Sequence, residues 1–230
     1  MQTQESLENS EYIWFKSAKP LDYSFKSLKT VGELNAGEKP LSARVHGTPT
    51  INRQTNRYQT GSLWLNNNNL IHVDGLRKLA ERLLVSADYL SWLDLSSNRL
   101  MAVNPELLLF PNLTVLYMHN NRISDLVEVY KLRRLTKLLT LTFSGNPLAA
   151  MADYRSTVVR MLPHIRKLDN SVVVPSERAP SSPPIRKCVL ARLMAEYPDD
   201  FDAPPWKSPP DPQSPPPPSL VTAVSMSMTD

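Results

Sequence analysis

A chain of 230 residues, 41% of them hydrophobic, with 26 Lys and Arg against 22 Asp and Glu, has material for one or two domains and a formal charge of only +4. By segment the charge is +2 over residues 1–60, +4 over 61–174 and −2 over 175–230, which disfavours a nucleic-acid partner because no dense basic face is available. A single cysteine, Cys188, rules out an intrachain disulfide framework, and neither a signal-peptide core nor a run of eighteen apolar residues occurs, so a soluble cytoplasmic protein with no membrane partner is expected.

Residues 1–59 show no sustained period and mix Ser, Thr, Asn, Gln, Lys and Glu, the composition of a mostly flexible N-terminal arm. Two aromatic patches interrupt it, Tyr12 to Phe15 and Pro20 to Phe25. Either these fold back over the open end of the domain that follows, or they are linear motifs for a partner.

From residue 60 an eleven-residue frame recurs four times: TGSLWLNNNNL ending at Leu70, LSWLDLSSNRL at Leu100, LTVLYMHNNRI at Ile123 and LLTLTFSGNPL at Leu148. The fourth, sixth and eleventh positions are apolar and the ninth is asparagine; at the first position only Thr60 is polar. Side chains alternate along a strand, so the fourth and sixth residues face a core while the third, fifth and seventh face the other side. Asn68, Asn98, Asn121 and Asn146 lie 30, 23 and 25 residues apart. Each turns the chain out of its strand, and its amide can bond backbone groups that the bend strips of partners, predicting a buried asparagine ladder. Units at this spacing cannot bury an apolar face alone but share one core when stacked.

The connections carry helical spacing. Leu76, Leu79, Leu83 and Leu84 predict an amphipathic helix in the long first unit, and Val127, Tyr130, Leu132 and Leu135 a helical turn before the fourth strand. Lys131, Arg133, Arg134 and Lys137 cluster there, as a solvated face or a docking patch for acidic protein. After Leu148, the apolar face of Tyr154, Val158, Leu162, Ile165 and Leu168 leads into a final partial strand. Residues 175–230 hold 14 of the 21 prolines, which favours a solvated polyproline tail over a packed core. Its Pro209 to Pro212 spacing also suits an SH3-like groove. A short helix is predicted near 185–197, with Ile185, Val189, Leu193 and Tyr197 on one face, packing against the cap or binding a partner.

No chemistry of catalysis stands out. Glycine-rich phosphate loops, the H-E-x-x-H motif and paired C-x-x-C are absent, and His46, His72, His119 and His164 have no metal-ligand spacing. Asp94 and His119 fall on one sheet, but without a nucleophile or pocket they make a poor catalytic pair. The expectation is therefore no enzyme activity, no cofactor, no metal and no small-molecule substrate. What the sheet displays instead is Trp64, Trp92 and Tyr117 on a diagonal path across strands about 4.8 Å apart, with Asp94 and His119 alongside. Exposed Trp and Tyr are hot-spot types for protein binding; the competing expectation is that the N-terminal arm covers them.

These motifs resemble the leucine-rich repeats of the SDS22-like class, with the Tyr154-Arg155, Leu162-Pro163 and Leu168-Asp169 pattern similar to its C-terminal cap. PLDYSFKSL and SLWLNNN narrow the resemblance to one small branch, from about Pro20 to about Val174. It implies an α/β solenoid with a short parallel sheet, a C-terminal cap and disordered tails, divided as arm 1–59, repeats 60–174 and tail 175–230. It further implies a small cytoplasmic scaffold or adaptor in a cilium or axoneme, with tubulin or axonemal proteins as partners. Regulation of an enzyme such as a phosphatase uses the same fold, and association with RNA is a weaker alternative. With both tails lacking periodic cores, a fragment of residues 55–174 is expected to fold by itself.

Overall fold

In the four frames the fourth-position leucines pair directly: Leu63 with Leu93, Leu93 with Leu116, Leu116 with Leu141. The computed structural model, which describes residues 18–34, 38–44, 46–179 and 184–200, builds a seven-stranded sheet around this register. Strand β1 is Leu21–Asp22, β4 Ser62–Trp64, β5 Trp92–Asp94, β6 Val115–Tyr117, β7 Thr140–Thr142, β8 Lys167–Leu168 and β9 Ser171–Val172. All pair in parallel along the order β1-β4-β5-β6-β7-β8 except the last, β9, which returns antiparallel to β8. A separate hairpin of β2, Ile51–Asn52, and β3, Arg57–Tyr58, precedes the repeats. Leu63, Leu65, Leu93, Leu95, Leu116, Met118, Leu141 and Phe143 are fully buried, so the fourth and sixth positions form the core.

Each ninth-position asparagine bridges two turns. Asn98 Nδ2 donates to Leu95 O in its own turn and to Leu65 O in the preceding one, both at 3.0 Å, and its Oδ1 accepts from Leu70 N at 3.0 Å. Asn121 repeats this with Met118 O, Leu95 O and Leu100 N, and Asn146 with Phe143 O, Met118 O and Ile123 N. The residue before each asparagine has a positive φ: Asn67, Ser97, Asn120 and Gly145 at 55°, 52°, 54° and 71°. Asn, Ser and Gly tolerate this left-handed bend. At Gly145 a side chain would also be crowded, because a Cβ would press on the Asn120 side-chain amide and lie 3.2 Å from Asn120 N.

The sheet does not begin at residue 60, where the composition changes, but at residue 21. Leu21 pairs with Leu63 and Asp22 with Trp64, so residues 21–28 form a degenerate fifth copy of the frame. Leu21, Tyr23 and Leu28 are buried at its fourth, sixth and eleventh positions. Lys26 holds the ninth, and Asn68 compensates for the missing asparagine: its Oδ1 accepts from both Lys26 N and Leu28 N, at 2.9 and 3.1 Å. Its Nδ2 reaches Tyr23 O at 3.0 Å. Phe25, at the eighth position, takes the same bend with φ 58° although an aromatic pays steric strain there. Polar Thr60 also has a role, accepting from Ser62 N and donating to Lys19 O. Leu41 then pairs with the free side of β1, its N donating to Asp22 O at 2.7 Å, which closes the sheet edge. The second aromatic patch therefore covers the solenoid end; the first, Tyr12 to Phe15, lies outside the described residues, as do the prolines beyond residue 200.

On the convex side helix α1 is Leu76–Leu83, α2 Val127–Tyr130 and α3 Tyr154–Met161. The first buries Leu76, Leu79, Ala80 and Leu83. Its N-terminal backbone N–H groups at Gly75 and Arg77 bond Glu106 of the next unit at 2.6 and 3.0 Å, and Glu128 likewise accepts from Val103 N at 2.7 Å. Such carboxylates satisfy donors that a helix or turn leaves unpaired. At the C-terminal end, Asp169 caps the exposed turn of the last full frame by accepting from Phe143 N and Ser144 N, at 2.6 and 2.7 Å, while Tyr154 Oη donates to its second oxygen at 2.6 Å. Burial, then that bond to Asp169, raises the Tyr154 pKa far above the ordinary phenol value.

Candidate protein-interaction surface

The short strands fix what the concave face shows. Third-position Trp92 projects between fifth-position Trp64 and Tyr117, and the rings touch edge to face, with centroids 5.7 Å apart for Trp64 and Trp92 and 5.8 Å for Trp92 and Tyr117. His119, 6.0 Å from Tyr117, ends the row, its Nδ1 3.0 Å from Thr142 Oγ1. All four are half-buried rather than free-standing. The indole Nε1 atoms of Trp64 and Trp92 are buried without a hydrogen-bond partner among the described residues. Truncating these rings therefore opens space within the row, which alternation alone does not reveal.

Asp94 does not project as a free acid. It is 9% exposed, and its Oδ1 accepts from Ser96 N at 2.9 Å and from Ser96 Oγ at 2.6 Å. Both bonds go to one oxygen and tie the carboxylate to the turn two residues on. Burial, then the Asp94 charge, raises the Tyr117 pKa. His119 bonds Thr142 and not Asp94, so the two are not arranged as an acid-base pair. No arm aromatic lies over the row among the described residues; one cation does. Arg44 places its guanidinium 5.2 Å from the Trp64 centroid and 5.6 Å from that of Phe25, which is 61% exposed.

Three of the four basic residues before β7 are engaged within the fold. Lys131 pairs with Glu128 at 2.7 Å, Lys137 Nζ donates to Asn112 Oδ1 at 2.5 Å, and Arg133 pairs with Asp200. Helix α4, Lys187–Glu196, lies beside Arg133: it packs on α2 through fully buried Leu193, and Tyr197 lies 5.2 Å from Tyr130. The Arg133 guanidinium lies over both tyrosines, 4.1 and 4.8 Å from their centroids, and burial lowers its pKa. Arg192 to Asp125 and Arg186 to Asp153, each 2.6 Å, fasten the helix along its length. Between packing on the body and awaiting a partner, this helix adopts the first. Among the described residues no helix is long and apolar enough to cross a membrane.

Comparison with known proteins agrees with this architecture. A family model described as leucine-rich repeat matches residues 41–188. Leucine-rich repeat-containing protein 51 of Macaca mulatta is 41% identical over 159 residues, covering 69% of this chain and 81% of that protein. Cilia- and flagella-associated protein 410 of Mus musculus is 34% identical over 115 residues, 49% of this chain and 41% of its own length. Among solved structures, a chain of the Drosophila melanogaster SNF/U2A' complex is similar with a TM-score of 0.45 and 25% identity, over 56% of this chain and 71% of that one. A leucine-rich-repeat model over residues 41–188, and a relative 41% identical and matched over 81% of its length, mean that the chain belongs to the leucine-rich-repeat family, in the group of leucine-rich repeat-containing protein 51.

Proposed function

We propose that this protein is a non-enzymatic scaffold or adaptor that holds a protein partner on its concave sheet and works in a ciliary or axonemal assembly. The carrying observation is the row of Trp64, Trp92, Tyr117 and His119 in continuous ring contact along an open sheet. Large amphipathic rings lose little conformational freedom on binding, and contacts of this type concentrate interface energy. The ciliary setting is drawn from the similarity to cilia- and flagella-associated protein 410, and the partner expected there is tubulin or an axonemal protein.

Affinity purification of the full chain and of its W64A/W92A/Y117A variant, from ciliated and non-ciliated cells, tests this. Tubulin or axonemal proteins should be recovered by the parent and lost by the variant, since truncating one central hot-spot residue costs ~2 kcal/mol, about thirtyfold in affinity. The rings also support one another by ~0.5–1.5 kcal/mol per pair, so a melting curve must show that the variant is folded. Unchanged recovery by a folded variant would remove the concave face from the function. Recovery of a phosphatase catalytic chain instead would make the protein an enzyme regulator.

A further inference from the structure

The concave face contains one small arrangement twice, and the chain fills the first copy itself. At the N-terminal edge, Asp22 Oδ1 accepts from Ser24 N at 2.9 Å and from Ser24 Oγ at 2.6 Å, and the neighbouring strand sets Trp64 opposite Asp22. Arg44 occupies this site, donating from Nη1 to Ser24 Oγ at 3.0 Å with its guanidinium over the Trp64 ring. Asp22 and Ser24 beneath it are both 0% exposed.

Two strands on, the chemistry recurs. Asp94 Oδ1 accepts from Ser96 N at 2.9 Å and from Ser96 Oγ at 2.6 Å, and the neighbouring strand sets Tyr117 opposite Asp94. Here no described arginine or lysine is seated over the ring, and Asp94 and Ser96 retain 9% and 2% exposure. In both copies the hydroxyl gives its one hydrogen to the carboxylate, leaving its lone pairs to accept from an incoming donor. In the first copy the guanidinium donates to the hydroxyl and stacks its face on the ring, while Asp22 Oδ2 is buried without a described partner; a planar guanidinium over the second copy has the same hydroxyl and ring to meet, with the carboxylate charge beneath.

We propose that Asp94, Ser96 and Tyr117 form a receptor for an arginine side chain of the protein partner, equivalent to the site that Arg44 fills in cis. This rests on the concave face being the binding surface and narrows its partner to an arginine-bearing segment. Trp92, in contact with both Trp64 and Tyr117, is the wall between the two sites.

The test is a titration of the isotope-labelled full chain with N-acetyl-arginine amide, followed by amide and indole resonances. The arginine amide should shift Ser96, Tyr117 and the Trp92 Nε1 signal, with citrulline amide and lysine amide each about tenfold weaker. Asp94→Asn should weaken the arginine response about tenfold, while a dispersed spectrum confirms its fold, because an asparagine oxygen can still accept from Ser96. Arg44→Ala supplies the control: by vacating the first site it should let the arginine amide shift Ser24 and Trp64. A response at Ser24 in that variant with none at Ser96 in the parent overturns the proposal. So does silence at both, an equal response to citrulline, or a response that survives in D94N. Partner capture retained by D94N but lost in the triple alanine variant would defeat the arginine site and leave the wider binding face standing. Capture retained by the folded triple variant would defeat that face itself.

Discussion

Asn98 is the residue on which the repeat mechanism is most exposed to test. Its amide serves Leu65 O, Leu95 O and Leu70 N at once, and the side chain is only 8% exposed. Replacing it by alanine leaves those backbone groups unpaired away from water, at a cost of ~1–3 kcal/mol. Asn98→Ala should therefore lower the melting temperature by roughly 2–4 °C for each kcal/mol lost; a mutant melting with its parent would show that the ladder contributes nothing. A second residue carries a pH signature. Burial, then the Arg178 charge, lowers the His164 pKa below its ordinary 6.5, and its Nε2 is buried without a described partner. An imidazole depressed on folding contributes stability that is present above the unfolded value and lost as pH falls through the folded one. Melting temperature should thus fall as pH drops below the ordinary imidazole value, and His164→Asn should flatten that fall. An identical pH profile in the mutant would assign the acid sensitivity to other groups.

At the scale of elements, α4 illustrates packing that has its own stability. Leu193 is the one fully buried side chain of the helix, with Ile185, Val189 and Tyr197 partly buried beside it and Met194 51% exposed. Leu193→Ala removes contacts of a kind worth ~2–5 kcal/mol in a core, but a terminal helix can detach before the body loosens. Hydrogen exchange should accordingly quicken at Lys187–Glu196 while β5 and β6 stay protected; simultaneous loss of protection in those strands would show one cooperative unit. Burial opposes the charge on Asp125, yet its bond to Arg192 prevails and lowers its pKa, so this helix should also loosen as pH falls below the ordinary carboxylate range. These elements differ in how plainly the sequence announces them. The four full frames are legible because each carries leucine alternation and the same asparagine, and the α1 and α3 faces because their spacing is helical. Strand β1 is not, since Lys26 stands where the asparagine should be and Asp22 and Ser24 read as solvent-facing. Arg44 over Trp64 joins residues 20 apart in sequence through a pairing of Leu41 with β1, for which local patterns give no signal. The row of Trp64, Trp92 and Tyr117 follows from alternation, but its mutual edge-to-face packing and the bonding of Asp94 to Ser96 depend on rotamers.

For the whole molecule, the decisive quantity is how much of the core lies outside the four full frames. Leu21, Tyr23, Leu28, Val31 and Leu34 are all at least 94% buried, and all precede residue 55. Burying one such side chain is worth ~1.5–3 kcal/mol, so five of them amount to roughly 7–15 kcal/mol before chain entropy is charged against them. That equals the entire net stability expected of a domain, ~5–15 kcal/mol. A fragment of residues 55–174 also loses Leu193 and Tyr197 from the other end, and it leaves Leu63, Leu65 and the Asn68 amide facing water along an open sheet edge. Composition alone suggests that this fragment folds independently; the pairing of β1 with β4 reverses the expectation. Residues 18–200 should unfold cooperatively at the temperature of the full chain, whereas 55–174 should melt far lower or without a sharp transition. Adding back residues 18–54 to the short fragment, and not residues 175–200, should restore most of the difference, because among the described residues the larger group of buried side chains and the cover for the sheet edge at β4 come from that segment. Cooperative melting of 55–174 at the parent temperature would mean that β1 and its neighbours rest on a core already complete without them.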